Sequence, residues 1–330
     1  MIAVRRALDR YPFDSPWLRA TVARHWLKTW FVVNSIVAVA YQASDTSLLF
    51  FDARLYLEAT RAWLHGADPW AVQLAGNYFA APPPSLIPLA PIALLPADLG
   101  VAIVAALVVG GALATVRLLR LPWWWILFPP LVQCVLSANV HGLLVPLILV
   151  RGGALAVVLK VYAAIPLAIL GRWRAVAITV VVLVATIPLL PWATYLGEFG
   201  GITAHLAEQT KHHIPIALLA ALAPFVAVAL SIVGRDRAAW LAPLALWPSQ
   251  QYYYGTLVMP VRSTVAAAIV AVPVTGSGLL AVAVLAAVAW RGGARPHWPA
   301  PARYSDPDGT IGAVTEGTGS VDSQHDRSSP

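Results

Sequence analysis

The feature that most narrows what this chain can fold into is a succession of apolar runs. They lie at roughly 30–43, 86–116, 123–137, 140–150, 154–170, 175–192, 214–233, 238–258 and 264–290, with basic residues gathered in the gaps. About 20 apolar residues cross a bilayer as a helix, because every backbone N–H and C=O is then satisfied inside the segment. Composition leaves few other solvents: 59% of the chain is hydrophobic and only 11% is charged, against about 25% charged residues in a soluble domain. The expected fold class is all-α, a polytopic transmembrane helical bundle of about ten spans, several of them half-length. A disordered chain is excluded by the apolar content, and collagen by prolines and glycines without a fixed period.

The net charge of +7 is dispersed rather than gathered into a nucleic-acid patch. All basic residues but Arg54, Arg61, Lys160, Lys211 and Arg262 fall in six short clusters between apolar runs, the spacing of cytoplasmic loops under the positive-inside rule. The expected location is the cell membrane, multi-pass, with both termini cytoplasmic. A basic cytoplasmic segment, residues 1–28, is long for a signal peptide, so the first helix reads as retained; Ala38-Val39-Ala40 is the competing cleavage site. Residues 29–290 read as the transmembrane domain, with a first outer loop at 44–85. Residues 291–330, rich in Gly, Pro, Ser, Thr and Asp, read as a disordered cytoplasmic tail.

Both flanks of the 154–170 run are basic, Arg151 on one side and Arg172 and Arg174 on the other, with Lys160 in the middle. Two half-length helices turning near Lys160 to Pro166 would keep both flanks inside. Non-helical backbone at that depth must line a wet cavity or be covered by protein. An ammonium there is costly unless it snorkels outward or serves a function, and a cation facing a cavity suits a phosphate group.

Asp52 follows Leu48-Leu49-Phe50-Phe51 and opens a short amphipathic segment expected to lie on the outer membrane surface and to close at His65-Gly66. Its carboxylate reads either as an N-cap for that helix or as a base whose pKa an apolar wall has raised. His141 sits in an outer turn between two short helices, as a satisfied turn residue or a catalyst. His205, Glu208 and His212 share helical spacing, but HExxH is absent, and a solvated helix competes with a zinc site. Tyr252, Tyr253 and Tyr254 read as an interfacial belt or as a stacking surface for sugar. The single cysteine, Cys134, can form no intramolecular disulfide. Glycine-rich nucleotide loops and GxSxG are missing, which indicates neither a soluble nucleotide site nor a hydrolase elbow.

These residues also carry a resemblance. Asp52 is followed four residues on by Tyr56, then by Gly66-Ala67-Asp68-Pro69-Trp70, then by Pro82-Pro83 leading into a span. Asn139-Val140-His141, Leu159-Lys160-Val161-Tyr162, Arg172-Trp173-Arg174-Ala175 and Gln251-Tyr252-Tyr253 follow in order. Over residues 45–290 this pattern resembles the GT-C superfamily of membrane glycosyltransferases, and most closely family 87, the polyprenol-phosphate-mannose-dependent mannosyltransferases of actinobacteria. Ala81 stands where that family has an aromatic residue, and Ala163 where it has proline.

The resemblance implies a cavity open to the periplasmic side and a hexose, mannose in that family, moved from a polyprenyl-phosphate carrier to a cell-envelope glycolipid or polysaccharide with inversion. Asp52 would be the catalytic base. Lys160 would stabilise the leaving phosphate with help from His141 or Arg262, and Tyr56, Asn139 and Tyr253 would contact substrate. No cofactor, metal or nucleic acid is implied; membrane lipid is the surrounding partner. A transporter or lipid flippase, and a catalytically degenerate partner subunit, remain the competing readings of the same sequence.

Overall fold

The structure, a computed structural model, describes residues 16–209, 214–247 and 251–294. The expectations for residues 1–15, for Lys211, His212 and His213, for 248–250 and for the tail beyond Ala294 lie outside the described residues.

Over its described residues the chain is mostly helical, with one small ribbon. Its helices are α1 (Pro16–Ser44), α2 (Phe51–Leu64), α3 (Leu86–Ala93), α4 (Ala97–Leu118), α5 (Pro129–Ser137), α6 (Leu144–Leu149), α7 (Gly153–Leu159), α8 (Ala164–Ile169), α9 (Trp173–Thr186), α10 (Trp192–Gln209), α11 (Ile216–Val233), α12 (Arg235–Leu246), α13 (Thr264–Val270) and α14 (Ser277–Arg291). The ribbon pairs β1 (Gln73–Leu74) with β2 (Asn77–Tyr78), Gln73 opposite Tyr78. It turns on Ala75 and Gly76 at φ 46° and 79°, the left-handed pair that a two-residue hairpin favours.

Two helices, α4 and α11, are long and apolar enough to cross a membrane by length and composition. Several runs are broken into pieces shorter than their sequences suggest, and the cause is local. Pro96 divides the 86–116 run into α3 and α4, since the residue before a proline avoids the helical region. The 238–258 run stops at Leu246 and continues as the 3-10 stretch Tyr252–Val261, and the 264–290 run is interrupted around Pro273. The 154–170 run is two half-helices, α7 and α8. The break falls at Lys160, whose backbone is extended at φ −147° and ψ 111°.

Helix ends in this molecule are served by arginines. The last four carbonyls of a helix have no partner within it and carry its negative pole. Arg61 donates to Ala93 O at 2.9 Å and to Leu95 O at 3.3 Å, finishing α3. Arg262 donates to Leu119 O at 2.9 Å beyond α4. Arg172 serves Ile148 O in α6, and Arg235 serves Ile169 O in α8.

Packing brings α2 onto α3 and α4, α5 onto α1, and α11 onto α12 and α14. Two crossings have room for hydrogen only. A methyl group at Gly111 would lie 2.8 Å from the Gly142 carbonyl oxygen, and one at Gly278 would meet the Leu244 carbonyl. Ile36, Val181, Phe225 and Val288, on α1, α9, α11 and α14, are large apolar side chains left exposed.

Candidate active site

Helix α2 begins in an unusual way. Phe50, the residue before it, is left-handed at φ 55° and makes no side-chain cap. Its N–H donates to Leu136 O at 2.8 Å, pinning the start of α2 to the end of α5. A bulky residue in that region is strained by roughly 1–3 kcal/mol and persists only where its surroundings hold it. Asp52 therefore stands two residues past the N-cap position, and the capping alternative is corrected. Its carboxyl group is partly buried among Asn139, Ser137 and Lys160. Burial pushes its pKa above the ordinary carboxylate value, against Asn139, Lys160 and Ser137, which each favour the anion.

Tyr56 lies one turn along the same face of α2, buried and edge-on to Phe79 with ring centroids 5.2 Å apart. The Lys160 ammonium stands 5.3 Å from the Tyr56 ring centroid, within cation–π range. Lys160 sits at the α7–α8 break, between α7 and the 3-10 turn Val161–Ala163, and is half-buried. Among the described residues the one ion pair in contact is Arg61 with Glu58, at 2.6 Å. Lys160 and Asp52 thus act on each other without closing into a direct pair.

Across from them lies the turn that follows α5. Ala138 is left-handed at φ 51°, and Asn139 caps the 3-10 turn Val140–Leu143, its Oδ1 accepting from the His141 N–H at 2.8 Å. That bond fixes which way the amide faces. Asn139 Nδ2 is buried with no hydrogen-bond partner: it is near enough to Asp52 to favour the anion, yet short of full hydrogen-bond geometry. Ser137 Oγ donates to Gln133 O at 3.0 Å, and the Cys134 thiol to Asn139 O at 3.2 Å, so both brace this turn.

His141 is fully buried. Its ring stacks on Tyr254, with centroids 5.1 Å apart and planes 14° apart, and lies 5.6 Å from Tyr253. Its Nδ1 is 2.5 Å from the Tyr162 hydroxyl, while Nε2 has no partner. Tyr162 packs in turn on Tyr254 and Trp247, at 4.9 Å and 5.2 Å. Buried polar groups are rarely left unpaired. Among the described residues three such side-chain atoms are, and two of them, Asn139 Nδ2 and His141 Nε2, belong to this one turn.

Asp52, Tyr56, Asn139, His141, Lys160 and Tyr253 are thus brought to one place, the first two by α2 and the others by three breaks in apolar runs. Arg262 is not. Its guanidinium is engaged by Leu119 O beyond α4, and its own backbone is left-handed at φ 54°, so its expected role on phosphate is withdrawn. His205, on α10, stacks on Tyr78 with ring centroids 4.0 Å apart, and no three His, Cys, Asp or Glu converge as a metal site among the described residues.

Sequence reasoning offered Tyr254 as belt or stacking surface and missed Tyr162 and Trp247. Their one signal was aromatic character beside quoted motifs, which does not distinguish a membrane belt from a site wall.

The site therefore offers one partly buried carboxylate, one ammonium and two unspent polar groups inside an aromatic wall. It can take a proton from a hydroxyl on one side and hold an anionic oxygen on the other. No protein-family model, no curated protein and no solved structure matches this chain.

Proposed function

We propose that this chain is an integral membrane glycosyltransferase of the GT-C type, moving a hexose, mannose by its resemblance to family 87, from a polyprenyl-phosphate carrier to a cell-envelope glycolipid or polysaccharide. The observation that carries the reading is the meeting of Asp52 with Lys160 and the unpartnered atoms of Asn139 and His141. On this reading the chain is polytopic, its half-helices cross the membrane in pairs, both termini are cytoplasmic, and the Asp52 loop faces the periplasm.

The acceptor hydroxyl gives its proton to the Asp52 carboxylate as its oxygen attacks the anomeric carbon in line. The bond from that carbon to the carrier phosphate breaks, and the electron pair leaves with the phosphate, inverting the sugar. Lys160 Nζ offsets the charge that develops on the leaving oxygen, with Asn139 and His141 beside it. Tyr56 holds Lys160 by its ring face, and Tyr253 with Tyr254 offers a stacking wall to the sugar.

The test is transfer from labelled polyprenyl-phosphate-mannose in membranes carrying the chain, wild type against Asp52→Asn at matched expression. Loss of a positioned base costs about 10²–10⁴-fold, so product is expected from wild type and at least a hundredfold less from the variant. Equal product would move the base elsewhere. Solute flux in proteoliposomes without chemical change would make the chain a transporter instead.

A further inference from the structure

Two atoms of the site face in directions that hydrogen bonds elsewhere have fixed. Asn139 turns its NH₂ toward Asp52 because its Oδ1 is taken by the His141 N–H. His141 is held the same way from its other edge, where Nδ1 meets Tyr162. Which nitrogen of a neutral imidazole carries the proton follows from the bond that the other nitrogen makes.

A phenol is a strong donor whose oxygen lone pair is drawn into the ring, and an imidazole sp² nitrogen is a strong acceptor. The pair is therefore better matched as Tyr162 O–H donating to His141 Nδ1 than as the reverse. With the proton from Tyr162 on that side, the ring's own N–H is at Nε2, the atom left buried and without a partner. A half-turn of the ring would bring Cδ2, which cannot accept, against the Tyr162 hydroxyl, so the contact at Nδ1 also holds the ring's orientation.

Resting on the transferase reading, we propose that Tyr162 is a positioning residue: it fixes His141 as the Nε2–H tautomer, so that Nε2 joins Asn139 Nδ2 and Lys160 Nζ as a third donor to the oxygens of a prenyl-linked phosphate. The site is then sorted by polarity, with Asp52 its acceptor for a hydroxyl and these three groups its donors for an oxyanion. Only a ligand carrying both an acidic oxygen and a nearby hydroxyl partner satisfies all of them.

The experiment uses the full chain labelled with ¹⁵N-histidine, the His141 signals being assigned by their loss in His141→Gln. Wild type is expected to show a pyridine-type Nδ1 and a pyrrole-type Nε2, and Tyr162→Phe a mixture of the two tautomers. A pyrrole-type Nδ1 in wild type would overturn the proposal. Addition of farnesyl phosphate should shift Nε2, and Tyr162→Phe should weaken that binding about three- to tenfold, the worth of one hydrogen bond. Inorganic phosphate in the same titration shows whether the prenyl chain is required; no shift with either probe rejects the donor role.

In the transfer assay Tyr162→Phe should lower kcat with KM for the acceptor unchanged, and Tyr162→Phe combined with His141→Gln should be no slower than His141→Gln alone. Additive losses would make Tyr162 merely structural. A wild type that transfers no mannose would sink the transferase reading, while the nitrogen spectrum would still decide the tautomer.

Discussion

At the scale of the residue, Asp52 costs the fold something that function recovers. Its pKa is raised in the folded chain, so between the unfolded value of about 3.9 and the folded value the native state holds more protons than the unfolded one. This contribution to stability is intact at low pH and is lost as pH rises through the folded pKa. Asp52→Asn keeps the shape and removes the charge, so it should raise the thermal unfolding temperature at pH 7 and give no gain below about pH 3.9. A lower unfolding temperature at neutral pH would mean that the anion is stabilised in place. The base must be ionised to act, so transfer should climb with pH along an acid limb displaced upward from ordinary carboxylates. Lys160→Met removes a cation that favours the anion and should push that limb higher still, read from a pH–rate profile of both proteins. Asp52, His141, Lys160 and Tyr253 were singled out from the residues themselves, as polar or aromatic groups beside or within apolar runs, and Tyr56 and Asn139 only through the resemblance. Arg262 was misread because a cation near a membrane suggests phosphate, whereas the carbonyl end of a helix competes for it.

At the scale of the element, the breaks are what the sequence announced best. Lys160 between two basic flanks and the His65-Gly66 stop each mark an end that the fold keeps, with Gly66 at φ 77°, whereas the break at Pro96 fell inside a run read as continuous. Proline chemistry and charge placement are local, so they survive folding unchanged. The approach of one helix to another is not local, and nothing in the run around Gly278 says that Leu244 will press against it. Gly278→Ala should therefore lower the unfolding temperature, because the added methyl meets backbone that cannot turn aside. Gly197→Ala, within α10 and with nothing inside 4 Å, should raise stability by up to about 1 kcal/mol. Thermal unfolding of the pair, purified side by side, separates crowding from helix propensity. Arg172→Ala should cost about 1.5–3 kcal/mol, the range for a hydrogen bond to a charged group, and denaturant unfolding measures it.

At the scale of the whole molecule, the site is assembled from positions near 52, 140, 160 and 254, and composition carries no information about such meetings. That Tyr162 and Trp247 would join Tyr254 in one aromatic wall was invisible for that reason. The proposed orientation is open to a direct check, because the chain has one cysteine and it is buried. With a membrane-impermeant maleimide on intact cells, His65→Cys should label and Arg174→Cys should label only after permeabilisation, both side chains being exposed. The opposite pattern would invert the proposed topology. The arginines that finish the helices also set a clock. Arg262 serves a carbonyl 143 residues upstream, and Arg235 one 66 residues upstream. At about 5–20 residues per second of synthesis, the first of these carbonyls waits on the order of 7–30 s for its cation. Until then it is without that partner, so the end of α4 is finished only when the last third of the chain leaves the ribosome.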